Sequence, residues 1–359
     1  MTAEPTRPLR LALFGAGMIG REHLKYARAE SRVDMVALAD PTDAAEQLAR
    51  ENGLAWYADY HDLLEWEEID AVIIALPNVL HAPAAIAVME HGHAVLLEKP
   101  IADTVEAARE IVAAQQRTGV PLLVGHQRRH APDIVAAKKL IDDGGLGDIV
   151  SVGLLSTWRK NDAYYEATWR VQPGAGPILI NLIHDLDALR YLVGDVTEVV
   201  ALGSSAQRGH PVADTAGAVL RFEQGALGSV SLSDAAVSPW NWDLTSGYGA
   251  YFPTPPDEDA YFLSGTKAAL ALPSLTLYRY DQVDENGNPA EGHWQVPLTR
   301  EVVERDDHNA YVRQLDHFIA VARGEVQPVV SADDAYRSLV TTVAVDTAQS
   351  EKRVIEVRP

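Results

Sequence analysis

The sequence predicts an α/β protein: a doubly wound parallel sheet first, then a second α/β domain rich in antiparallel strands. Three observations carry that reading. An apolar, strand-like run from Leu9 ends in Gly15-Ala16-Gly17-Met18-Ile19-Gly20 and opens an amphipathic segment. Up to about Gly125, short apolar runs alternate with helix-like segments, the spacing of βαβ units. Beyond that point strand-like runs recur with Gly-containing turns between them, as in antiparallel meanders.

The glycine run fits a dinucleotide fingerprint because each glycine has a separate task. Gly15 allows the tight turn and Gly17 lets backbone N–H groups approach a pyrophosphate. Gly20 lets the new helix pack on its strand with its N-terminus aimed at the phosphates. Helix-like sequence reaches about Ala29, and the next apolar run, Val33 to Ala39, ends in Asp40. This acid stands where a carboxylate accepts hydrogen bonds from the adenosine ribose hydroxyls. Its charge would repel a 2′-phosphate, and neither Pro41 nor Thr42 supplies an arginine, so NAD is favoured over NADP. Asp43 with Glu46 reads as a capping pair for a helix to Asn52, and a polar stretch follows. A strand over 70–75 then ends at Pro77-Asn78, before a helix containing His81. The next strand, 94–97, runs into Glu98-Lys99-Pro100. Asp103 with Glu106 caps a helix to about Arg117, and 121–125 is the last strand.

Ligands of doubly wound sheets bind at the carboxyl ends of the strands, and Gly15, Asp40, Asn78 and Lys99 all fall there. Lys99 precedes a proline, which keeps its backbone out of the helical region and admits a cis bond where the fold demands one. A lysine fixed there could hydrogen-bond a substrate hydroxyl and stabilise the alkoxide as its proton leaves.

The second half opens on the polar cluster His126-Gln127-Arg128-Arg129-His130, then a helix over 133–142. Strands are expected over 149–158, 196–203, 216–222 and 226–233, an exposed hairpin loop over 281–292, and helices over 309–322 and 333–350. Ser331 with Asp334 could cap the last of these. Between them lies Gly174-Ala-Gly-Pro-Ile-Leu-Ile-Asn-Leu-Ile-His-Asp-Leu-Asp187, read as a helix starting at Pro177 with His184 near its middle. Asn181, His184 and Asp187 recur every three residues as a polar stripe. Trp158, Arg159, Tyr164, Trp169, Arg170 and the Trp240-Asn241-Trp242 run supply aromatic faces and directional donors suited to a carbohydrate-shaped ligand. Arg128, Arg159 and Arg170 would equally suit a substrate carboxylate.

A chain of 359 residues exceeds what one core usually spans, so two domains are expected. With 30 Lys plus Arg against 51 Asp plus Glu, the net charge of −21 opposes binding to nucleic acid or an anionic membrane. No cysteine is present, which removes disulfides and thiolate chemistry. No run approaches the ~18 apolar residues of a membrane span and the polar start is unlike a signal peptide, so a cytoplasmic location is expected. His91-Gly-His93 is spaced for chelation but lies at a strand entry, opposite the cofactor edge, and no metal is expected.

Taken together, Gly15-Ala16-Gly17-Met18-Ile19-Gly20, Asp40, Pro77-Asn78 with His81, and Glu98-Lys99-Pro100 resemble the Gfo/Idh/MocA family of dehydrogenases. The resemblance implies an NAD(P)-binding Rossmann domain over 1–126. It also implies a substrate-binding and oligomerisation domain over 127–359, built on a large open, mainly antiparallel sheet. Those residues become cofactor contacts, and hydride would pass between a hydroxyl-bearing carbon of a sugar, sugar derivative or cyclitol and the nicotinamide. Lys99 and His184 would handle the proton. Asn181 and Asp187 join Arg128, Trp158, Arg159, Tyr164, Trp169 and Arg170 as the expected substrate-binding set. A homodimer or homotetramer is implied, because an open apolar sheet face is usually covered.

One departure stands out. The family pattern has an aspartate four residues before the histidine, where this chain has Ile180. Asn181 can hydrogen-bond but cannot take a proton, so His184 is assigned as general base by itself. Ile180 also admits a less polar substrate, such as an anhydrosugar or aromatic diol, or a non-catalytic NAD-responsive regulatory protein.

Overall fold

The computed structural model describes residues 7–248, 252, 257–283 and 292–358. Its contacts divide the chain into two compact units, one of residues 1–130 with 310–339 and one of 131–309 with 340–359. The motifs place the domain boundary at 126, whereas the compact units draw residues 310–339 back to the first. The return is held by the edge strand at 122–125, where Val124 N–H donates to the Val330 carbonyl at 3.0 Å. Nearby, Arg129 pairs with Asp334 and donates to the Val329 carbonyl at 3.2 Å. The contact hides donors that an edge strand would otherwise leave unpaired.

The first unit runs β1 (Leu9–Phe14), α1 (Met18–Ala29), β2 (Val33–Ala39), α2 (Asp43–Asn52), β3 (Ala55–Tyr57) and α3 (Tyr60–Trp66). It continues with β4 (Ala71–Ile74), α4 (His81–Glu90), β5 (Ala94–Glu98), α5 (Val105–Thr118) and β6 (Leu122–Gly125). The strands are all parallel in the order β3-β2-β1-β4-β5-β6, so the order reverses between β1 and β4. Every residue of β4, β5 and β6 is buried, which is why these strands read as unbroken apolar runs. The polar stretch after Asn52 holds β3 and α3, whose mixed composition concealed them.

Two helix starts differ from the expected pairs. Thr42, not Asp43, caps α2, its hydroxyl accepting from Ala45 N–H at 3.3 Å. Thr104, not Asp103, caps α5 by the same bond to Ala107 N–H at 3.1 Å. In both cases the threonine has the extended backbone a cap requires. The Ser331–Asp334 cap forms as read, Asp334 N–H donating to Ser331 Oγ at 3.1 Å.

The second unit opens with α6 (Pro132–Asp142) and contains α7 (Ile183–Val193). Its sheet comprises β7 (Ile149–Thr157), β8 (Val196–Ser204), β9 (Thr215–Phe222), β10 (Leu227–Ser233) and β11 (Tyr261–Gly265). The remaining strands are β12 (Ala268–Leu272), β13 (Thr276–Arg279), β14 (Thr299–Val302) and β15 (Ile355–Glu356). The order is β14-β13-β12-β11-β7-β10-β9-β8-β15, antiparallel throughout except for the parallel pair β7 and β10. Burial alternates along β9 and β10, so one face of the sheet is packed and the other exposes Val200, Leu202, Val219, Leu227 and Phe262. The expected hairpin loop at 281–292 lies largely outside the described residues.

Candidate functional site

In the first unit the glycine turn closes between β1 and α1. Gly15 sits at φ +92°, and a Cβ there would lie 2.4 Å from the Ala75 carbonyl oxygen. A Cβ on Gly20 would lie 2.0 Å from the Gly15 oxygen, so strand and helix meet only because both are glycine. Gly17 differs, since a Cβ there would meet no protein atom within 4 Å. It caps α1 with no side-chain bond, and the first turn of α1 carries no acid. This helix start therefore presents backbone donors to an anion, with nothing of the protein's own in the way. Ala16 is buried, Ile19 half-buried and Met18 67% exposed, a solvent-facing apolar side chain beside the turn.

Asp40 ends β2, and its carboxylate is tied to that turn. One oxygen accepts from Ala16 N–H at 2.9 Å, and the other from the Thr42 N–H and hydroxyl at 3.0 and 2.6 Å. Partial burial pushes its pKa up, but the Thr42 and Ala16 bonds outweigh this and hold it below its ordinary value. It is a carboxylate at neutral pH with acceptor capacity to spare, since two oxygens offer about four sites.

The loop after β5 is braced from two sides. Glu98 is buried and receives His23 Nε2 of α1 at 2.7 Å on one oxygen, and Lys99 N–H at 3.2 Å on the other. Burial pushes the Glu98 pKa up, yet the His23 bond and the charges of His23 and Lys99 bring it below the ordinary value. His81, also buried, sets its two ring nitrogens on the Pro100 and Leu76 carbonyls at 2.8 and 2.9 Å. Glu98 and His81, expected as cofactor contacts, thus act here as braces under Lys99. The Lys99–Pro100 bond is cis, and Lys99 is half-buried. Pro77 and Asn78 are exposed at the start of a 3-10 turn after β4.

The second unit holds a pocket of about 590 Å³, within the usual size range of small-molecule sites. Trp158, Arg159, Lys160, Asn161, Tyr164, Asn181 and Asp243 are among its lining residues. It forms where β7 and β10 end side by side, with Trp158 N–H on the Ser233 carbonyl (2.9 Å) and Lys160 N–H on that of Asp234 (3.0 Å). Four of the expected substrate residues, Trp158, Arg159, Tyr164 and Asn181, are therefore brought together. Arg170 packs on the same cluster, its guanidinium 4.0 Å from the Tyr164 ring centroid and donating to the Tyr164 carbonyl at 2.6 Å. Trp169 stays exposed outside the lining. Arg128 is buried in the 3-10 turn Gln127–His130 of the first unit and is not among the residues lining this pocket.

The expected three-residue polar stripe is broken by helix geometry. Residues Ile178–Leu182 form a π turn leading into α7, which changes the angular spacing that a regular α-helix would keep. Asn181 lines the pocket and His184 is half-buried, but Asp187 is fully buried. Asp187, expected as a substrate contact, is thus enclosed within the packed part of α7 in this structure. Asp185 beside it is likewise internal, accepting from Ser156 Oγ (2.9 Å) and the Tyr261 hydroxyl (2.5 Å).

Lys160 and His23 are the residues sequence reasoning passed over. Lys160 reads as an ordinary loop lysine, with only its flanking Trp158 and Tyr164 as a signal. His23 lies 75 residues from its partner. Among the described residues no group of three or more His, Asp or Glu is placed to hold a metal ion. Nor is any helix among them long and apolar enough to cross a membrane.

Comparison with known proteins agrees with this architecture. Residues 9–126 match the model of an oxidoreductase family with an NAD-binding Rossmann fold, and 138–357 match the C-terminal α/β domain of the same family. The rhizopine catabolism protein MocA of Rhizobium meliloti is 31% identical over 73% of this chain and 84% of its own. Levoglucosan dehydrogenase of Pseudarthrobacter phenanthrenivorans is also 31% identical, over 96% and 97%. An oxidoreductase structure from Desulfitobacterium hafniense superposes with a TM-score of 0.78 at 20% identity, covering 98% of this chain and 99% of its own. With both domain models matched across nearly its full length, the chain belongs to the Gfo/Idh/MocA family of oxidoreductases.

Proposed function

We propose that the protein is an NAD-dependent dehydrogenase of a polyhydroxylated small molecule, a sugar, sugar derivative or cyclitol. The observation that carries the reading is the pocket at the β7 and β10 ends, where aromatic faces and polar side chains converge in one unit of a chain whose other unit has the dinucleotide fold. Relatives named for their activity on inositols and levoglucosan support the substrate class. The cofactor would lie against the turn Gly15–Gly20 and supply the hydride acceptor. Asp40 would take the ribose hydroxyls and disfavour a 2′-phosphate, which supports NAD over NADP. His184 takes the hydroxyl proton and Lys99 stabilises the developing alkoxide.

The test is NADH formation against sugars, anhydrosugars, sugar acids and inositols, with NADP in parallel. Turnover with NAD on at least one polyol is expected. NAD binding with no reduction by any of them would move the protein to the regulatory reading.

The glycine turn gives a sharper expectation. Gly17→Ala should weaken NAD binding by ~10-fold or more with an unchanged unfolding midpoint, because the new methyl meets ligand space only. Gly20→Ala should instead lower stability by about 1–3 kcal/mol, since its methyl meets backbone. Equal effects of the two on stability would contradict the assignment.

The exposed apolar face of the second sheet supports assembly into a homodimer or homotetramer. Val200 and Val219 pair across β8 and β9 on that face, and such patches usually mark an interface. Light scattering on the purified protein should return at least twice the 39.0 kDa chain mass; a monomer at micromolar concentration would refute it.

A further inference from the structure

Lys160 lines the pocket in the second unit, and the dehydrogenase reading gives it no task. Its ammonium lies 4.0 Å from the Tyr164 ring centroid and 5.4 Å from that of Trp158. Among the described residues it donates one hydrogen bond, to Asn181 Oδ1 at 2.6 Å, and no carboxylate lies within ion-pair distance. An ammonium carries three donors, so among the described residues two are left unspent.

The backbone that presents it is held rigidly. Lys160 N–H donates to the Asp234 carbonyl, and the Lys160 carbonyl accepts from Arg208 Nη2 at 2.8 Å. Arg208 also donates to the Asp234 carbonyl at 2.6 Å, and the Asp234 carboxylate accepts from the Tyr165 hydroxyl at 2.6 Å. The charges around Lys160 are of both signs: Asp234 and Asp243 favour its protonation, while Arg170 and Arg208 oppose it. Asp234 is already engaged by Arg208 and Tyr165. Arg159 adds a further cation to the lining. A half-buried cation with no carboxylate in ion-pair contact among the described residues is costly, and a ligand carboxylate would offset that cost.

We propose that Lys160 is the recognition cation of this pocket and that the substrate is a polyhydroxylated carboxylate, a sugar acid in place of a neutral sugar. The carboxylate takes the two unspent donors of Lys160. The apolar face of the carbon chain lies on Tyr164 or Trp158. Lys160 is a specificity-determining residue, and the proton chemistry stays with the residues already assigned. The proposal rests on the dehydrogenase reading for the identity of the pocket, but its test is read by binding, without turnover.

Full-length protein is titrated with D-gluconate and D-glucuronate, and with D-glucitol and D-glucose as neutral probes, following tryptophan fluorescence. The wild type should bind the carboxylates about 10- to 100-fold more tightly than the neutral probes, the worth of one charge-assisted hydrogen bond. Lys160→Met should erase that preference while keeping the affinity for neutral probes, and Lys160→Arg should retain it. Burial brings the Lys160 pKa down to about 8. The carboxylate preference should therefore be full below that pH, fall as the pH rises through it, and persist in Lys160→Arg. Equal binding of acids and neutral polyols, or a preference that survives Lys160→Met, overturns the proposal. Carboxylates that bind through Lys160 but yield no NADH leave it standing and count against the dehydrogenase reading. NADH from neutral sugars alone, unaffected by Lys160→Met, does the reverse.

Discussion

Replacing Lys99 with methionine is expected to lower kcat by about 10²- to 10⁴-fold, the usual worth of a positioned proton-handling or alkoxide-stabilising group. The affinity for NADH should scarcely change, because the loss falls on the transition state. The physical basis is the care with which the structure holds this lysine. Its own N–H is tied to Glu98, and the buried His81 ring lies between the Pro100 and Leu76 carbonyls, with one N–H to donate to one of them. A surface lysine would not need such support. His184→Gln should cost a similar factor, since it removes the proposed base. Steady-state kinetics of both variants with the best substrate of the panel decides the matter. Near-normal turnover in Lys99→Met would remove Lys99 from the mechanism.

The second large effect concerns stability. Glu98→Ala is expected to destabilise the first unit by about 1–3 kcal/mol, the cost of leaving buried hydrogen-bonding groups without their partner. His23 would lose its partner at 2.7 Å, and Lys99 N–H its acceptor. A neighbour sharpens the point, because a Cβ on Gly125 would lie 2.9 Å from Glu98 Oε1, so β6 leaves room for this carboxylate and no more. Since Glu98 is held below its ordinary pKa, its contribution is present above that value. It is lost as the pH falls through the native pKa. Urea unfolding of Glu98→Ala and His23→Phe, alone and combined, measures the pair. Single losses below about 1 kcal/mol would show that the brace carries no weight.

The parts of the fold legible in the sequence are those where one local rule dominates. Strands β1, β4, β5 and β6 are buried on both faces, and their composition announces it; β9 and β10 alternate because one face is packed. Strand β12 escapes because Ala268–Leu272 is Ala-Ala-Leu-Ala-Leu, a string of helix formers made extended by its neighbours β11 and β13. The glycine turn is legible because close backbone approach leaves glycine as the only choice at Gly15 and Gly20. The His23–Glu98 brace and the placing of Lys160 in the pocket are not legible, since both arise from tertiary contacts that no spacing encodes. The π turn ahead of α7 is not legible either: it shifts Asn181 relative to His184, whereas His184 and Asp187 keep their helical spacing within α7.

The central claim is hydride transfer between a hydroxyl-bearing carbon and the nicotinamide. Its most direct test uses the best substrate of the panel carrying deuterium on the carbon that is oxidised, with unlabelled NAD. The account predicts one deuterium at C4 of the NADH formed, and loss of that transfer in Lys99→Met. NADH without deuterium, or deuterium transfer unaffected by Lys99→Met, would contradict it.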